Sequence, residues 1–328
     1  MAELPDEIRD DLLDDNRGDA RDRARGEVSG LVVVDKPGGW TSHQVVGRCR
    51  RLYGTRKVGH AGTLDPMATG VLLVGVGRAT RLLGHLAGHD KTYLATIQLG
   101  ATTTTDDADG ELLEWRGAAG LTEADIRAAV PQFTGVISQV PSSVSAIKVD
   151  GRRAYARVRA GETVTLAPRE VTVSRFEVTA VRPSASFGWV DGSPATGPLL
   201  DVDVEVDCSS GTYIRALARD LGARLGTGGH LTALRRTRVG AFDLSLVGLD
   251  QDALDAGRPA PLLGLADVAR RAFAVVEVDA GQAADVSHGR ALALTVPAEP
   301  TALLSGDRLL ALYRPGPAGG SVPMAVLA

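Results

Sequence analysis

Short apolar runs broken by glycine, proline and acidic residues run the length of this chain, and their periods predict alternating strands and helices. Leu31–Val34 is a continuous apolar run, the mark of a buried strand, stopped by Asp35-Lys36-Pro37-Gly38-Gly39. A helix is expected next. Thr41 and Gln44 have capping-box spacing, and Val45, Val46, Cys49, Leu52 and Tyr53 share one stripe. Gly70–Val76 reads as a buried strand and Ala79–Leu86 as a short helix. Thr92–Leu99 reads as a strand with Tyr93, Ala95, Ile97 and Leu99 on one face. A Thr-x-x-Asp start opens a helical pattern over Thr122 to Val130, which is expected to end before Pro131.

The clearest strand is Leu200–Cys208, where Leu200, Val202, Val204, Val206 and Cys208 alternate with four acids. It leads through Ser209-Ser210-Gly211 into a helix carrying Ile214, Leu217, Leu221 and Leu225 on one stripe, closed by Gly226. Beyond Phe242 the pattern loosens. Asp250–Ala272, broken by Gly and Pro at Gly257–Pro261, reads as a connecting segment. Strand rhythm returns at Phe273–Val278, Ala291–Val296, Arg308–Tyr313 and Met324–Leu327. The Gly-Ser-Pro-Ala-Thr-Gly-Pro stretch at 192–198 reads as a surface loop. The chain is therefore expected to be α+β, with a mixed, mainly antiparallel sheet and a small β-rich C-terminal domain.

Composition sharpens this picture in three respects. At 328 residues and 44% apolar, the chain has enough to bury for two folded units. No apolar run is long enough to span a bilayer, and no apolar stretch follows the N-terminal charges, so neither a membrane anchor nor a secretory signal is expected. Cys49 and Cys208 are too few for a disulfide framework and read as buried small residues of a reducing cytoplasm. The formal charge of −4 is uneven: Met1–Gly30 holds ten acids against five arginines, −5, so the rest stands near +1. Met1–Ser29 is expected to be a mobile acidic tail, and basic patches elsewhere remain open to nucleic acid.

The densest chemistry lies in Gly59-His60-Ala61-Gly62-Thr63-Leu64-Asp65-Pro66-Met67-Ala68-Thr69-Gly70, a shaped loop around a single acid. Taken alone, Asp65-Pro66 reads as a turn start. Gly75-Val76-Gly77-Arg78-Ala79-Thr80 lacks the Gly-Lys-Ser/Thr of a phosphate loop, and His85 and His89 lack a glutamate or third ligand for zinc, so both read as structural.

The Gly59–Gly70 string as a whole resembles the signature of the TruB family of pseudouridine synthases. The resemblance extends in family order through Gly30–Pro37, Asp90-Lys91-Thr92-Tyr93, Asp106–Gly110, Pro141–Lys148, Gly211–Arg215 and His230–Arg236, roughly residues 30–240. It implies the pseudouridine synthase fold over 30–250, a connecting segment over 251–272 and a PUA-like RNA-binding domain over 273–328. It implies conversion of uridine 55 in the T loop of tRNA to pseudouridine without redox group, metal or cofactor. The partner implied is the tRNA T-arm, with no membrane and no partner protein. By resemblance Asp65 is the catalytic carboxylate, Arg215 its guanidinium partner and Tyr93 the ring against the target uracil. Tyr213 and Leu234 are implied walls of the base pocket. His60 is implied to hold the space left by the flipped base, and Lys36 and Lys91 are implied to meet phosphate or support the pocket. Attack on the ribose C1′, addition to the base and a glycal route all remain open for Asp65. Ser209-Ser210 departs from the family, many members of which carry a basic residue there. The alternatives to this reading are an RNA-binding or tRNA-folding protein, and a synthase acting on another RNA.

Overall fold

The computed structural model describes residues 28–142, 148–149, 152–153, 166–184, 189–190, 193–194 and 197–327. The acidic tail through Glu27, most of the Pro141–Lys148 block and part of the 192–198 loop lie outside the described residues. Contacts divide the chain into two compact units. One holds Asp65–Gly70 and His89–Arg238; the other holds the described residues up to Leu64, Val71–Gly88 and the chain from Val239 onward.

The first unit is built on a mixed, mainly antiparallel sheet. Its strands run in the order Gly229–Val239, Lys91–Leu99, Leu200–Cys208, Arg169–Pro183, Gly135–Gln139. The alternation in Leu200–Cys208 is realised as expected, since Val202, Val204, Val206 and Cys208 are buried and the four acids are half-open. That strand pairs antiparallel with Lys91–Leu99, placing Val206 opposite Tyr93 and Cys208 opposite Lys91. On its other side it pairs antiparallel with Arg169–Pro183. At the far side of the Gly229–Val239 strand, Arg235 and Arg236 pair in parallel with Thr69 and Gly70. Gly70 has φ +100°, and a Cβ there would come within 2.1 Å of the Arg236 carbonyl oxygen, so only glycine permits this approach. The helix Ile214–Arg224 buries Ile214, Leu217 and Leu221 on its apolar stripe, and Gly226 follows at φ +74°.

In the second unit, Gly30–Lys36 pairs in parallel with Val247–Leu249, and Val58–Ala61 pairs antiparallel with Thr69–Val76. The helix Ser42–Tyr53 has the expected capping box between Thr41 and Gln44 and closes at Gly54 in the left-handed region. A four-stranded sheet ends the chain, in the order Ala274–Glu277, Thr301–Ser305, Arg308–Pro315, Ser321–Val326. Its Ala302, Leu304, Leu309 and Leu312 share one core with Leu31, Val71, Leu82 and Phe242.

Several expectations need correction. Asp250–Ala272 is two helices, Gln251–Ala256 and Leu265–Ala272, with the Gly257–Pro261 break between them. Ala291–Val296 is not a strand. Leu292 makes one isolated bridge to Ser321, while Leu292 and Val296 fill a core cluster with Val286 and Tyr313. Ala79–Leu86 divides into a 3-10 turn over Gly77–Leu82 and an α-helix over Leu83–Ala87. The helix Glu123–Ala129 ends before Pro131 as expected, and a 3-10 turn over Val130–Phe133 follows it and accommodates the proline.

Candidate active site

The loop bearing Asp65 is fixed at both ends. On its N-terminal side the buried Ser42 hydroxyl accepts from the Leu64 amide at 3.0 Å and lies 3.2 Å from the Leu64 carbonyl. On its C-terminal side Asp65-Pro66 does start a turn, because the Ala68 amide donates to the Asp65 carbonyl at 3.1 Å. Gly62, at φ +88°, supplies the reversal that an L side chain would resist.

Arg215, in the first turn of the Ile214–Arg224 helix, meets the Asp65 carboxylate with two nitrogens: Nε is 3.0 Å from Oδ2 and Nη2 is 3.1 Å from Oδ1. This fork geometry fixes the plane of the carboxylate, which a lysine could not do. The guanidinium is held from behind, where Nη1 donates to the Thr105 carbonyl at 2.9 Å and lies 3.4 Å from Asp107 Oδ2. The arginine side chain is 5% exposed and Asp107 is equally closed off, but the Asp65 side chain keeps 35% of its surface open. A buried cation thus presents an accessible carboxylate. Burial pushes the Asp65 carboxyl above its ordinary range; Arg215 pulls it down, and the Asp107 charge pushes it up again. An aspartate raised in this way takes up and releases protons nearer neutrality than an exposed one.

Tyr93 is buried on the strand beside this site, as its place on the apolar face suggested. Burial raises its phenol, the Arg236 charge opposes this, and Arg236 also hydrogen-bonds the phenol; Asp65 is close enough to contribute. Leu234 is buried on the Gly229–Val239 strand. Tyr213 caps the Ile214–Arg224 helix, and its backbone is gripped at both groups by the Gln139 side chain: Oε1 accepts from the Tyr213 amide at 2.8 Å and Nε2 donates to its carbonyl at 3.0 Å. Lys91 is buried, its ammonium donates to the His89 carbonyl at 2.7 Å, and burial together with Arg236 brings it down to about 8.

Asp65, Arg215, Tyr93, Tyr213, Leu234 and Lys91 all belong to the first unit. Lys36 and His60 belong to the second. Lys36 is fully buried, with its ammonium on the carbonyls of Pro37 at 2.9 Å and Trp40 at 2.6 Å, so it braces the turn after the first strand. His60 packs edge-on against the His43 ring, with centroids 5.6 Å apart. At the Ser209-Ser210 departure, Ser209 takes a local structural role: its hydroxyl accepts from the Thr172 amide at 3.0 Å.

Three further residues adjoin the site without a role that the sequence pattern assigns. Asp107 stands within the Asp106–Gly110 string that carries part of the family resemblance, but nothing in that string assigns it a partner. Arg236 stands in an arginine-rich strand that hydropathy would place at the surface. Gln139 carried no signal, since its partner is a backbone 74 positions away.

The profile described as TruB family pseudouridylate synthase (N terminal domain) matches residues 50–214, and that described as tRNA pseudouridylate synthase B C-terminal domain matches residues 215–255. The chain is 60% identical over 288 residues to tRNA pseudouridine synthase B of Cutibacterium acnes (strain DSM 16379 / KPA171202), covering 88% of this chain and 93% of that protein. It is 56% identical over 301 residues to tRNA pseudouridine synthase B of Thermobifida fusca (strain YX), covering 91% and 98%. A protein chain in the solved structure of an H/ACA RNP bound to a substrate RNA containing 2'-deoxyuridine shares the fold, with TM-score 0.63 at 22% identity, covering 91% of this chain and 85% of that one.

Proposed function

The chain belongs to the TruB family of pseudouridylate synthases, and from that premise we infer that it isomerises uridine 55 in the T loop of tRNA to pseudouridine. In this reaction the bond from the ribose C1′ to the uracil N1 breaks and a bond from C1′ to C5 forms. C5 gives up its proton and N1 gains one, so no atoms are added or lost. Nothing in that balance calls for a redox group or an external nucleophile. It calls for a carboxylate that can engage the sugar or the base, and for a pocket that takes the base out of its stack.

Asp65 is that carboxylate. The observation that carries this reading is the two-nitrogen grip of Arg215 on an acid that stays open while its cation is enclosed. Asp65 can serve attack on C1′, addition to the base, or removal of a ribose proton toward a glycal. In each case its orientation must be fixed before the substrate arrives. Tyr93 supplies the ring face and phenol beside the uracil, and Tyr213 and Leu234 close the walls of the base pocket. His60 holds the space that the flipped base leaves. Lys91 and Lys36 act as supports, since both ammonium groups are committed to backbone carbonyls. Residues 30–250 carry the chemistry, 251–272 connect, and the PUA-like sheet within 273–328 adds RNA affinity. Among the described residues no helix is long and apolar enough to cross a membrane, and a cytoplasmic location suits a tRNA-modifying enzyme.

Incubation with an unmodified tRNA transcript, followed by position-resolved mapping of pseudouridine, tests the function. Stoichiometric conversion at position 55 is expected. Conversion only at other positions would give the enzyme another target, and tight tRNA binding without conversion would favour an RNA-binding or tRNA-folding protein.

A further inference from the structure

Arg236 is a charged side chain of the first unit for which the reaction as described has no use. It is 1% exposed and heads the fully buried side chains by volume. A guanidinium in such a place is costly unless its hydrogen bonds are well used. Its position is tightly set. Arg236 pairs with Gly70, whose missing Cβ lets the two backbones approach, five residues after Asp65. Its strand neighbours Lys91–Leu99, and the next residue, Thr237, reaches the Thr92 carbonyl at 3.3 Å from its hydroxyl. Arg236 therefore enters the core at the level of Tyr93 and hydrogen-bonds the phenol. A guanidinium has only donors, so the phenol oxygen is the acceptor and its O–H must point elsewhere. The other titratable groups facing that phenol are Cys208 from the paired strand and Asp65 from its loop, while Lys91 lies two residues along the same strand.

We propose that Arg236 is a positioning residue that acts through Tyr93: by donating to the phenol oxygen from within the core, it turns the phenol's own hydrogen toward the uracil and Asp65. This rests on the reading of Tyr93 as a residue that touches the substrate. An arginine that hydropathy would place at the surface of a basic strand becomes part of the apparatus behind the base.

The test uses the full-length protein with tRNA, measuring single-turnover rate at saturating enzyme, tRNA affinity and thermal melting for Arg236→Gln and Arg236→Lys. Each is made in the wild-type and Tyr93→Phe backgrounds. Arg236→Gln is expected to slow turnover about ten- to a hundredfold, the range for losing a hydrogen bond from a charged group, with little change in tRNA affinity. Arg236→Lys is expected to recover most of that rate. In the Tyr93→Phe background, followed for long enough to measure slow turnover, Arg236→Gln should cost no more than about twofold, because the two act as one unit. A second readout does not depend on activity. With tyrosine labelled with carbon-13 at Cζ, the chain's five tyrosines give resolvable signals, and Tyr93→Phe identifies one of them. That signal should move in Arg236→Gln while the others stay. An equal rate cost in both backgrounds, or an unmoved Tyr93 signal, would leave Arg236 a residue of the fold alone. If Arg236→Gln does not fold, the same cycle and signal are read with Arg236→Met, which keeps the length of the side chain but has no donor, and the same two outcomes decide. Near wild-type turnover by Tyr93→Phe alone would instead overturn the underlying role of the phenol.

Discussion

Two clusters of aspartate and arginine lie in the same unit and differ in which partner is enclosed. Around Asp65 the cation is inside: Arg215 is shut off between Asp65, Asp107 and the Thr105 carbonyl, and the Asp65 side chain keeps about a third of its surface open. On the Leu200–Cys208 strand the arrangement is inverted. Arg175 spans Glu205 and Asp207, Arg182 spans Asp201 and Asp203, and Arg238 reaches Asp207 at 3.3 Å. There all three arginines are more exposed than the acids they cover. The carboxyls respond in opposite senses. Burial carries Asp65 up, whereas Asp207 ends below its ordinary value because hydrogen bonds from Thr92 and Arg175 outweigh its partial burial. A salt bridge is thus not by itself a site. Asp65 stands out because an enclosed arginine holds it partly open while its pKa is raised.

The strongest perturbation of this contrast is Arg215→Lys. Charge survives but the two-nitrogen grip does not, and misplacement on the scale of 1 Å costs about a hundredfold in rate. Single-turnover kinetics should show a loss of at least about that size with tRNA affinity largely kept; turnover near wild type would make the bidentate geometry irrelevant.

The pH dependences should also run in opposite directions. Because the Asp65 carboxyl titrates above its ordinary 3.8, the native state binds a proton more tightly than the unfolded chain does. Its contribution to stability therefore falls as pH rises through the window above 3.8. Asp207 titrates below 3.8, so its contribution is present above that value and is lost as pH falls through its depressed pKa. Melting curves across the acid range should decline less steeply with rising pH in Asp65→Asn and climb less in Asp207→Asn. Matching slopes in the two variants would show that the clusters do not differ as described. Activity that needs ionised Asp65 should switch on with rising pH above 3.8, over the same window.

Smaller effects are expected from the covered acids themselves. Asp207→Asn should leave turnover unchanged and cost stability by about 1 kcal/mol or less, as for other partly exposed ion pairs. A fall in rate beyond a few-fold would bring that strand face into the chemistry. Arg182→Ala, which removes the most exposed of these three arginines, should change neither melting temperature nor rate measurably.

Legibility followed physical cause. Leu200–Cys208 was plain because one face is uniformly apolar and the other uniformly acidic. Arg169–Pro183 went unread although it is the longest strand among those described. Register shifts at Val173/Arg175 and Val178/Ala180 break its alternation, so Val171 and Val173 are buried in one phase and Phe176 and Val178 in the other. Gly229–Val239 was hidden because its core-facing positions include Arg236 and His230. Ala291–Val296 misled in the other direction: its alternation reports burial of Leu292 and Val296 without strand pairing. The site was more legible than the sheet that carries it. Asp65, Tyr93 and Arg215 stand in recognisable strings; Asp107 and Arg236 stand in such strings too, but like Gln139 they act through partners distant in sequence, which a linear pattern does not encode.

The central claim is that the Asp65 carboxylate performs the isomerisation, and Asp65→Asn tests it most directly. The amide keeps nearly the same shape, so folding and tRNA docking, which rest on many phosphate and base contacts, should persist. Binding and pseudouridine yield are measured on one preparation with an unmodified tRNA transcript. The account predicts near-normal binding with no detectable conversion. Turnover within about tenfold of wild type, a barrier change of only about 1.4 kcal/mol, would contradict it and remove Asp65 from the centre of the mechanism.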